Sequence, residues 1–523
     1  MDGLMMDQPL LISSLLWRAE HGIGDGQGSD RRADGGVASW THQEVALEAR
    51  RLAQGLLDNG LAQGQVVSSM AWNTREFLSA YFAVPSVGGV LHTVNHRMTP
   101  EQIAFTLRKV GSRVVLVDAD LLPLFREVDR VLVEEEGDSP FDSVVLIGAP
   151  AGDDAREVTW DDLVAGSQPI ARWPQLDERS ASGICFTSAT TGPPKAVVYT
   201  HRSTVLHAMS ISAAGGIGIN PDDAYLLATN MSHVNGWGVP YAAILQGARI
   251  VLPGAHPTPA DLVALVREEE PTVVIGAPTV VAMLRQHVTG DELESLHTAW
   301  LGGSAPPASL AEWLAERGIG VGNGWGMTET SPMMTYHPGH ESQGRPLPLA
   351  QLRIVGDTGE ELPWDGLTVG DLQVRSPWVA SEYLDDERTA GAFGDGWLRT
   401  GDLCVIHPDG RLQVRDRSKD LIKSGGEWIS SIELEHALML HPHIDEAAVI
   451  GVPDEVWLER PIAWVTVTEG CSVADEELRT YLGERFPRFW VPDRFERVEA
   501  IPKTSVGKLD KAGMRRQEAE RTP

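Results

Sequence analysis

The chain has 523 residues, 42% of them hydrophobic and 22% charged, with a formal net charge of −30. That length allows two or more domains around large cores, and the composition is that of an ordinary globular protein. The acidic balance excludes nucleic acid and an anionic membrane surface as main partners, since both would repel it.

Cys185, Cys404 and Cys471 have neither metal-ligand nor disulfide-framework spacing, which reads as three reduced thiols in a cytoplasmic protein. The apolar run 10–17 is too short to span a membrane and no basic segment precedes it, so neither a signal peptide nor a transmembrane helix is expected. Residues 44–59 carry apolar positions at helical spacing and end on Asn59-Gly60, a stop signal. Residues 65–72 then read as a strand and 75–87 as a helix. Pro100 opens a helix to Lys109, followed by strands at 113–117 and 143–147. The alternation continues with a helix at 260–268, a strand at 272–275 and a helix at 279–286. This predicts an α/β architecture with largely parallel sheets. From about Thr358 the texture turns to short strands and Gly/Asp turns, such as Pro408-Asp409-Gly410. After Arg417 a smaller α+β unit follows. It has a strand at 421–423, a helix from about Ile432 with Ser430 and Glu433 at capping-box spacing, and strands near 447–452 and 462–468. The expected organisation is a large N-terminal part, residues 1–417, with α/β subdomains and a β-rich subdomain. A small α+β C-terminal part, residues 418–523, completes it.

Several stretches between these elements carry chemistry. Phe186-Thr187-Ser188-Ala189-Thr190-Thr191-Gly192-Pro193-Pro194-Lys195-Ala196 lies between two short apolar runs that read as buried strands. Hydroxyls and loop amides wrap phosphate oxygens, and Lys195 adds a mobile positive charge. The stretch does not fit G-x-x-x-x-G-K-[ST]; taken alone such a turn is more often a solvated loop than a phosphate site. Trp300-Leu301-Gly302-Gly303-Ser304-Ala305-Pro306 is a strand running into a glycine turn, where bare backbone admits a flat ligand. Gly324-Trp325-Gly326-Met327-Thr328-Glu329-Thr330 gathers an aromatic ring, two hydroxyls and a carboxylate. Glu329 is a candidate Mg²⁺ ligand there, since magnesium takes one or two carboxylates plus phosphate oxygens. The glycine-rich run from Gly318 fails G-x-G-x-x-G, which excludes a dinucleotide fingerprint. The stretches 397–402 and 416–420 follow, and 423–429 taken alone reads as a charged surface hairpin. Only seven lysines occur, and all but Lys109 fall in these motifs or in the tail segment 502–511: Lys195, Lys419, Lys423, Lys503, Lys508 and Lys511. A chain that otherwise uses arginine keeps lysine where a compact, flexible ammonium is useful. Codon bias with a solvated basic tail is the plain alternative.

In order, these stretches resemble the motif series of the adenylate-forming superfamily, the acyl-CoA synthetases and their relatives, across roughly residues 40–511. The family's phosphate loop runs roughly T-S-G-T-T-G-x-P-K-G. Ala189 and Ala196 stand where it has glycines, and a positive φ at either would cost up to about 1–2 kcal/mol. The resemblance implies nucleotide contacts for Thr187, Ser188, Thr190, Thr191, Gly192 and Lys195, for Gly303, Ser304 and Ala305, and for Trp325, Gly326 and Thr328. It gives Asp402 the ribose hydroxyls, a role its two acceptor oxygens suit. Arg417 would meet ribose or phosphate, Lys419 would be the hinge between the domains, and Gly426 would let pantetheine pass. Glu329 would hold Mg²⁺ beside Thr328, and Lys508 would be the catalytic lysine, touching both carboxylate and α-phosphate.

The stretch 231–238 resembles a segment of medium- and long-chain fatty acyl-CoA synthetases that reads M-F-H-V-N-A-W. His233 would line the acyl site and Trp237 would match the gate of the fatty-acid tunnel; a buried structural histidine is the plain alternative. Ser232 and Gly236 replace larger apolar residues, which would enlarge or polarise the pocket for a fatty or aromatic acid. The implied reaction is ATP- and Mg²⁺-dependent activation of a carboxylic acid to an acyl-adenylate, then transfer to CoA, by an AMP-forming acid–thiol ligase that is a homodimer in the family. Competing readings are loading of a carrier-protein thiol, ATP-driven activation of nitrous acid to diazotise an aryl amine, and a nucleotide-binding relative without turnover, motivated by Ala189 and Ala196.

Overall fold

A computed structural model describes residues 3–23, 26–187, 193–303, 306–340, 342–424, 427–468, 470–504 and 508–521. Ser188, Ala189, Thr190, Thr191, Gly192, Ser304, Ala305 and Gly426 therefore lie outside the described residues. The predicted elements of the N-terminal α/β part form within a residue or two of their expected bounds, whereas the strands expected near 447–452 and 462–468 are longer, Ile444–Asp454 and Leu458–Val467. The first long helix is His42–Asp58, started by a capping box in which the Thr41 side chain and Glu44 satisfy each other's backbone N–H. Pro100–Lys109 starts the same way on Thr99, with Gln102 closing the box.

Two large sheets carry the N-terminal part. One runs Glu157–Thr159, Ser143–Ile147, Val114–Asp118, Val66–Met70, Val90–Thr93, Ala181–Phe186, Ala196–Thr200. It is parallel up to its last pair, which is an antiparallel hairpin with Phe186 opposite Ala196. The other has nine strands and is parallel through Arg249–Leu252, Ala224–Leu227, Val273–Gly276, Thr298–Leu301 and Gly320–Gly326. Central strands such as Val114–Asp118, Ser143–Ile147 and Val273–Gly276 are apolar runs buried on both faces, as parallel strands under helices must be. A shared core joins the sheets, with Phe77, Tyr81 and Phe82 of the helix Arg75–Ser86 in one cluster with Tyr241 of the helix Val239–Gln246 and with Tyr225 and Ile275 of the nine-stranded sheet. Among the described residues no helix is long and apolar enough to cross a membrane.

The β-rich texture expected from Thr358 begins earlier, at the strand Gln351–Val355, because the Gly/Asp turns that signal it follow the sheet's first strand. This sheet ends in the hairpin Trp397–Ile406 with Leu412–Arg417, which sets Asp402 opposite Arg417. The last sheet starts five residues beyond Arg417, at Ile422–Ser424. Its helix, Ser431–Met439, is capped by the Ser430 hydroxyl on the Glu433 N–H at 3.2 Å, but the box is only half made. The Glu433 carboxylate turns instead to Arg415 at 3.2 Å.

Asn73 fixes the loop that follows Ala224–Leu227. Buried between the sheets, its amide donates to the carbonyls of Leu227 and Thr229 at 2.9 and 2.8 Å and accepts from the Met231 N–H at 2.8 Å. Asn73→Ala strands these groups in a dry interface, at about 1–3 kcal/mol for each buried group left unpaired. Denaturant unfolding is expected to show a loss of at least that size, with acid turnover falling as the 229–237 loop slackens. Wild-type stability in the variant would contradict the assignment.

Candidate active site

The loops at the carboxyl ends of the parallel strands converge, which is where open α/β sheets bind ligands. Thr187 follows Ala181–Phe186, Thr229 follows Ala224–Leu227, Ala277 follows Val273–Gly276, Gly302 and Gly303 follow Thr298–Leu301, and Thr328 and Glu329 follow Gly320–Gly326. All of them line one cavity of about 400 Å³, joined from the other side by Arg388, Thr400, Gly401, Arg417, Lys419 and Lys508. Five cations, Lys195, Arg388, Arg417, Lys419 and Lys508, and one carboxylate, Glu329, thus face a single hollow in a strongly acidic chain. Such a hollow concentrates an anionic ligand.

The phosphate-loop neck is well defined. Thr187 N–H donates to the Lys195 carbonyl at 2.9 Å, and Lys195 N–H donates to the Thr187 hydroxyl at 3.2 Å. Ala196 is extended, buried and paired with Phe186, so the strain that a positive φ would bring does not arise at this alanine. Lys195 Nζ reaches 2.8 Å from the Tyr383 hydroxyl and 3.6 Å from the Glu329 carboxylate. Arg388 ties the other side of the loop by donating to the Pro193 carbonyl at 3.0 Å.

Glu329 sits in a single 3₁₀ turn, Thr328–Thr330, almost wholly buried. Its backbone is held from two sides: Ala380 N–H donates to the Glu329 carbonyl at 2.8 Å, and the Tyr199 hydroxyl donates to the Thr328 carbonyl at 2.7 Å. A single carboxylate with threonine hydroxyls beside a cationic hollow is a hard oxygen donor set, which fits Mg²⁺. Glu329 is the residue that would hold it.

Asp402 does not line the cavity; it is buried behind Trp325 and Arg417, which do. It accepts from Trp325 Nε1 at 2.8 Å and pairs with Arg417 at 3.3 Å, while burial pushes its carboxyl upward against the pull of Arg417. Lys508 comes from a hairpin in which Thr504 N–H donates to the Lys508 carbonyl at 2.7 Å. Gly303, whose φ is +88°, lies beside the Lys508 side chain: a Cβ there would stand at ordinary contact distance, 3.6 Å, so the glycine is required by its left-handed backbone rather than by space. Burial, then the Arg417 guanidinium, lowers the Lys508 ammonium to about 8. The remaining lysines do not converge here. Lys511 is buried against Glu435 at 2.7 Å, Lys503 pairs with Glu446 at 3.0 Å, Lys423 lies over Trp428 and Lys109 donates to the Asp385 carbonyl. Lysine scarcity thus marks the site only in part.

The apolar end of the cavity is formed by Val234, Trp237, Ala277, Met327, Pro332 and Met333. Trp237 closes it against Gly302, where any Cβ would stand 2.9 Å from the indole. The chain from Val234 to Gly238 holds five successive positive φ values, a strained left-handed turn that aims Trp237 inward. His233 lines both this cavity and a second one of about 80 Å³ that carries Trp72 and Arg97. Burial, then Lys508, lowers His233 to about 3, so it is neutral in the working range. Two expected lining residues are corrected. Gly236 packs against Pro240 and Met231, and Ser232 is buried in the turn; the cavity wall passes through His233, Val234 and Trp237 instead.

Residues 25–384 match the family described as AMP-binding enzyme, and residues 433–508 match the AMP-binding enzyme C-terminal domain. The chain belongs to the AMP-binding enzyme family. This family member is 40% identical to the 3-methylmercaptopropionyl-CoA ligase of Ruegeria pomeroyi over 98% of each chain. It is 39% identical to the long-chain-fatty-acid–CoA ligase of Thermus thermophilus, covering 98% of this chain and 96% of that one. A solved anthranilate CoA ligase in complex with anthranoyl-AMP shares the fold with a TM-score of 0.86 at 25% identity, covering 98% of both chains. Residues that the motif reading passed over also line the cavity, Arg388, Met333, Thr229 and Ala277, and Tyr383 stands behind it against Lys195 and Glu329. They come from segments without a residue pattern and are found only by folding.

The lowered Lys508 gives a signed pH dependence. The ammonium is present below about 8 and lost above it. For the free enzyme, kcat/KM of ATP-dependent pyrophosphate exchange is expected to fall roughly tenfold per pH unit above that value. A profile flat to about pH 10, the usual lysine range, would contradict the placement of Lys508.

Proposed function

We propose that the cavity joins ATP to a monocarboxylic acid at Lys508 and then passes the acyl group to CoA, with the side chains named above in the roles their positions support. The protein is an AMP-forming acid–CoA ligase that uses ATP, Mg²⁺ and CoA. The observation that carries the residue assignment is the meeting of Lys508, Glu329 and Lys195 in one cavity with the apolar end at Trp237.

In the first half-reaction a carboxylate oxygen of the acid attacks the α-phosphorus of ATP and pyrophosphate leaves. The charged Lys508 ammonium stabilises the negative charge growing on the α-phosphoryl oxygens and draws in the carboxylate. Lys195 and Arg388 neutralise the departing phosphates from the loop side. Mg²⁺ held at Glu329 supplies charge neutralisation on the phosphate oxygens. Asp402, next to Thr400 and Gly401 in the chain and held by Trp325 and Arg417, is assigned the ribose side, with the Trp325 ring as a wall for the nucleoside. In the second half-reaction the CoA thiol attacks the acyl carbon and AMP leaves. The smaller cavity meets the larger at Thr229, His233 and Ala277, away from the phosphate loop, and gives a thiol a separate approach.

The substrate is an acid with an apolar body, fatty, thioether-bearing or aromatic. Neutral His233, Val234, Trp237 and the thioethers of Met327 and Met333 offer polarisable, uncharged contacts, and methionines adapt to such shapes. A second carboxylate there would be desolvated without a cation. We assign residues 418–523 as a mobile domain hinged at Lys419. The turn there joins the sheet ending at Arg417 to the one starting at Ile422. Rotation has to break the contact in which Ser431 donates to Asp416, N–H at 2.6 Å and hydroxyl at 2.8 Å. The three free thiols suit a reducing compartment, and we place the enzyme in the cytosol.

Lys508→Ala is expected to cut acid-dependent pyrophosphate exchange by about 10²–10³-fold while leaving thiolysis of a supplied acyl-adenylate within a few-fold of wild type. In wild-type exchange, octanoate, 3-methylmercaptopropionate and benzoate should outrun succinate. Equal loss of both half-reactions in the variant, or a preference for succinate, would sink these assignments.

A further inference from the structure

Tyr383 belongs to no motif, yet its hydroxyl stands between the two groups that meet the triphosphate. The ring is held on all sides. It is buried in an apolar cluster with Cys185, Val197 and Tyr199, lies edge-on to Phe393 at 5.2 Å, and its N–H donates to the Thr389 hydroxyl at 3.0 Å. The hydroxyl donates to Glu329 Oε1 at 2.6 Å and accepts from Lys195 Nζ at 2.8 Å. As a result the ammonium and carboxylate rest 3.6 Å apart, longer than the roughly 2.7–2.9 Å of a direct charged hydrogen bond.

We propose that Tyr383 is a positioning residue that sets the metal affinity of Glu329 by holding Lys195 off the carboxylate and committing Oε1, so that Oε2 meets the cation. The proposal rests on the reading of Glu329 as the Mg²⁺ ligand. Without the hydroxyl, only the contact of the ammonium with the ring face, 4.1 Å from its centroid, opposes closure onto the carboxylate. The pair closes to a direct ion pair that competes with a divalent cation for the same oxygens. Partners that orient a metal-binding side chain are typically worth about 10–100-fold in metal affinity.

Tyr383→Phe removes the hydroxyl and keeps the ring. Mn²⁺ serves as the probe, with free Mn²⁺ read by electron paramagnetic resonance in the presence of ATP and without acid, so that no turnover is needed. The expected result is an apparent Mn²⁺ Kd raised about 10–100-fold. ATP binding in EDTA should stay within about twofold of wild type, and the melting midpoint within a few degrees. In a Lys195→Met background the same substitution should cost less than about threefold, because the competing ammonium is gone. Unchanged Mn²⁺ affinity, an equal loss of metal-free ATP binding, or an undiminished penalty in the Lys195→Met background would each overturn the proposal. A wild-type enzyme that makes adenylate but binds no Mn²⁺ with ATP overturns both this proposal and the Glu329 assignment. A wild-type enzyme that binds Mn²⁺ but makes no adenylate fails only the reaction reading, and the Tyr383 titration still decides the present one.

Discussion

Bringing an ammonium into a dry cavity is costly, and the site is arranged around doing so for Lys508. Burial alone drives a lysine toward neutrality, and the neighbouring Arg417 pushes the same way, while Asp402 and Glu329 pull back. The balance leaves the group charged at neutral pH but only by a narrow margin. A triphosphate carries enough negative charge to widen that margin, so the lysine is most firmly charged when its ligand is present. The two turns that meet at this lysine are far apart in the chain: Gly303, with its left-handed backbone, and the tail hairpin held by Thr504 and Lys508.

The same economy of charge holds at the phosphate end. Lys195 and Glu329 are opposite charges close enough to cancel, and cancellation would leave neither for the nucleotide. Tyr383 lies between them, while Arg388 secures the loop through a backbone carbonyl rather than through another acid. At the far end the currency changes from charge to shape. The left-handed turn Val234–Gly238 is strained, and Asn73 with the adjacent core holds it, so Trp237 faces Gly302 rather than solvent.

Much of this was legible in the chain, for physical reasons that differ by residue. The α/β alternation shows because parallel strands buried on both faces must be continuous apolar runs, as at Ser143–Ile147. Glu329, Lys195, Lys508 and Trp325 show because chemistry fixes residue type at fixed places between strands. Tyr383, Arg388 and Asn73 did not show: each acts through contacts made across a long stretch of chain, and no local spacing records them. Ser232 and Gly236 misled for a related reason. In a tight left-handed turn adjacent residues point in different directions, so neighbours of His233 and Trp237 need not share their cavity. Ala196 misled through φ. A glycine-to-alanine change signals strain only where the backbone turns left-handed, and here it is a strand residue.

The most direct test follows the carboxylate oxygen. The acid is labelled with ¹⁸O in its carboxylate and incubated with ATP, Mg²⁺ and CoA, and the products are weighed by mass spectrometry. Attack on the α-phosphorus at Lys508 leaves one labelled oxygen in AMP, with unlabelled pyrophosphate and an acyl-CoA of the expected mass. Label in inorganic phosphate or pyrophosphate, with AMP unlabelled, would mean that the acid is activated elsewhere on the nucleotide, and the account of this cavity would be wrong.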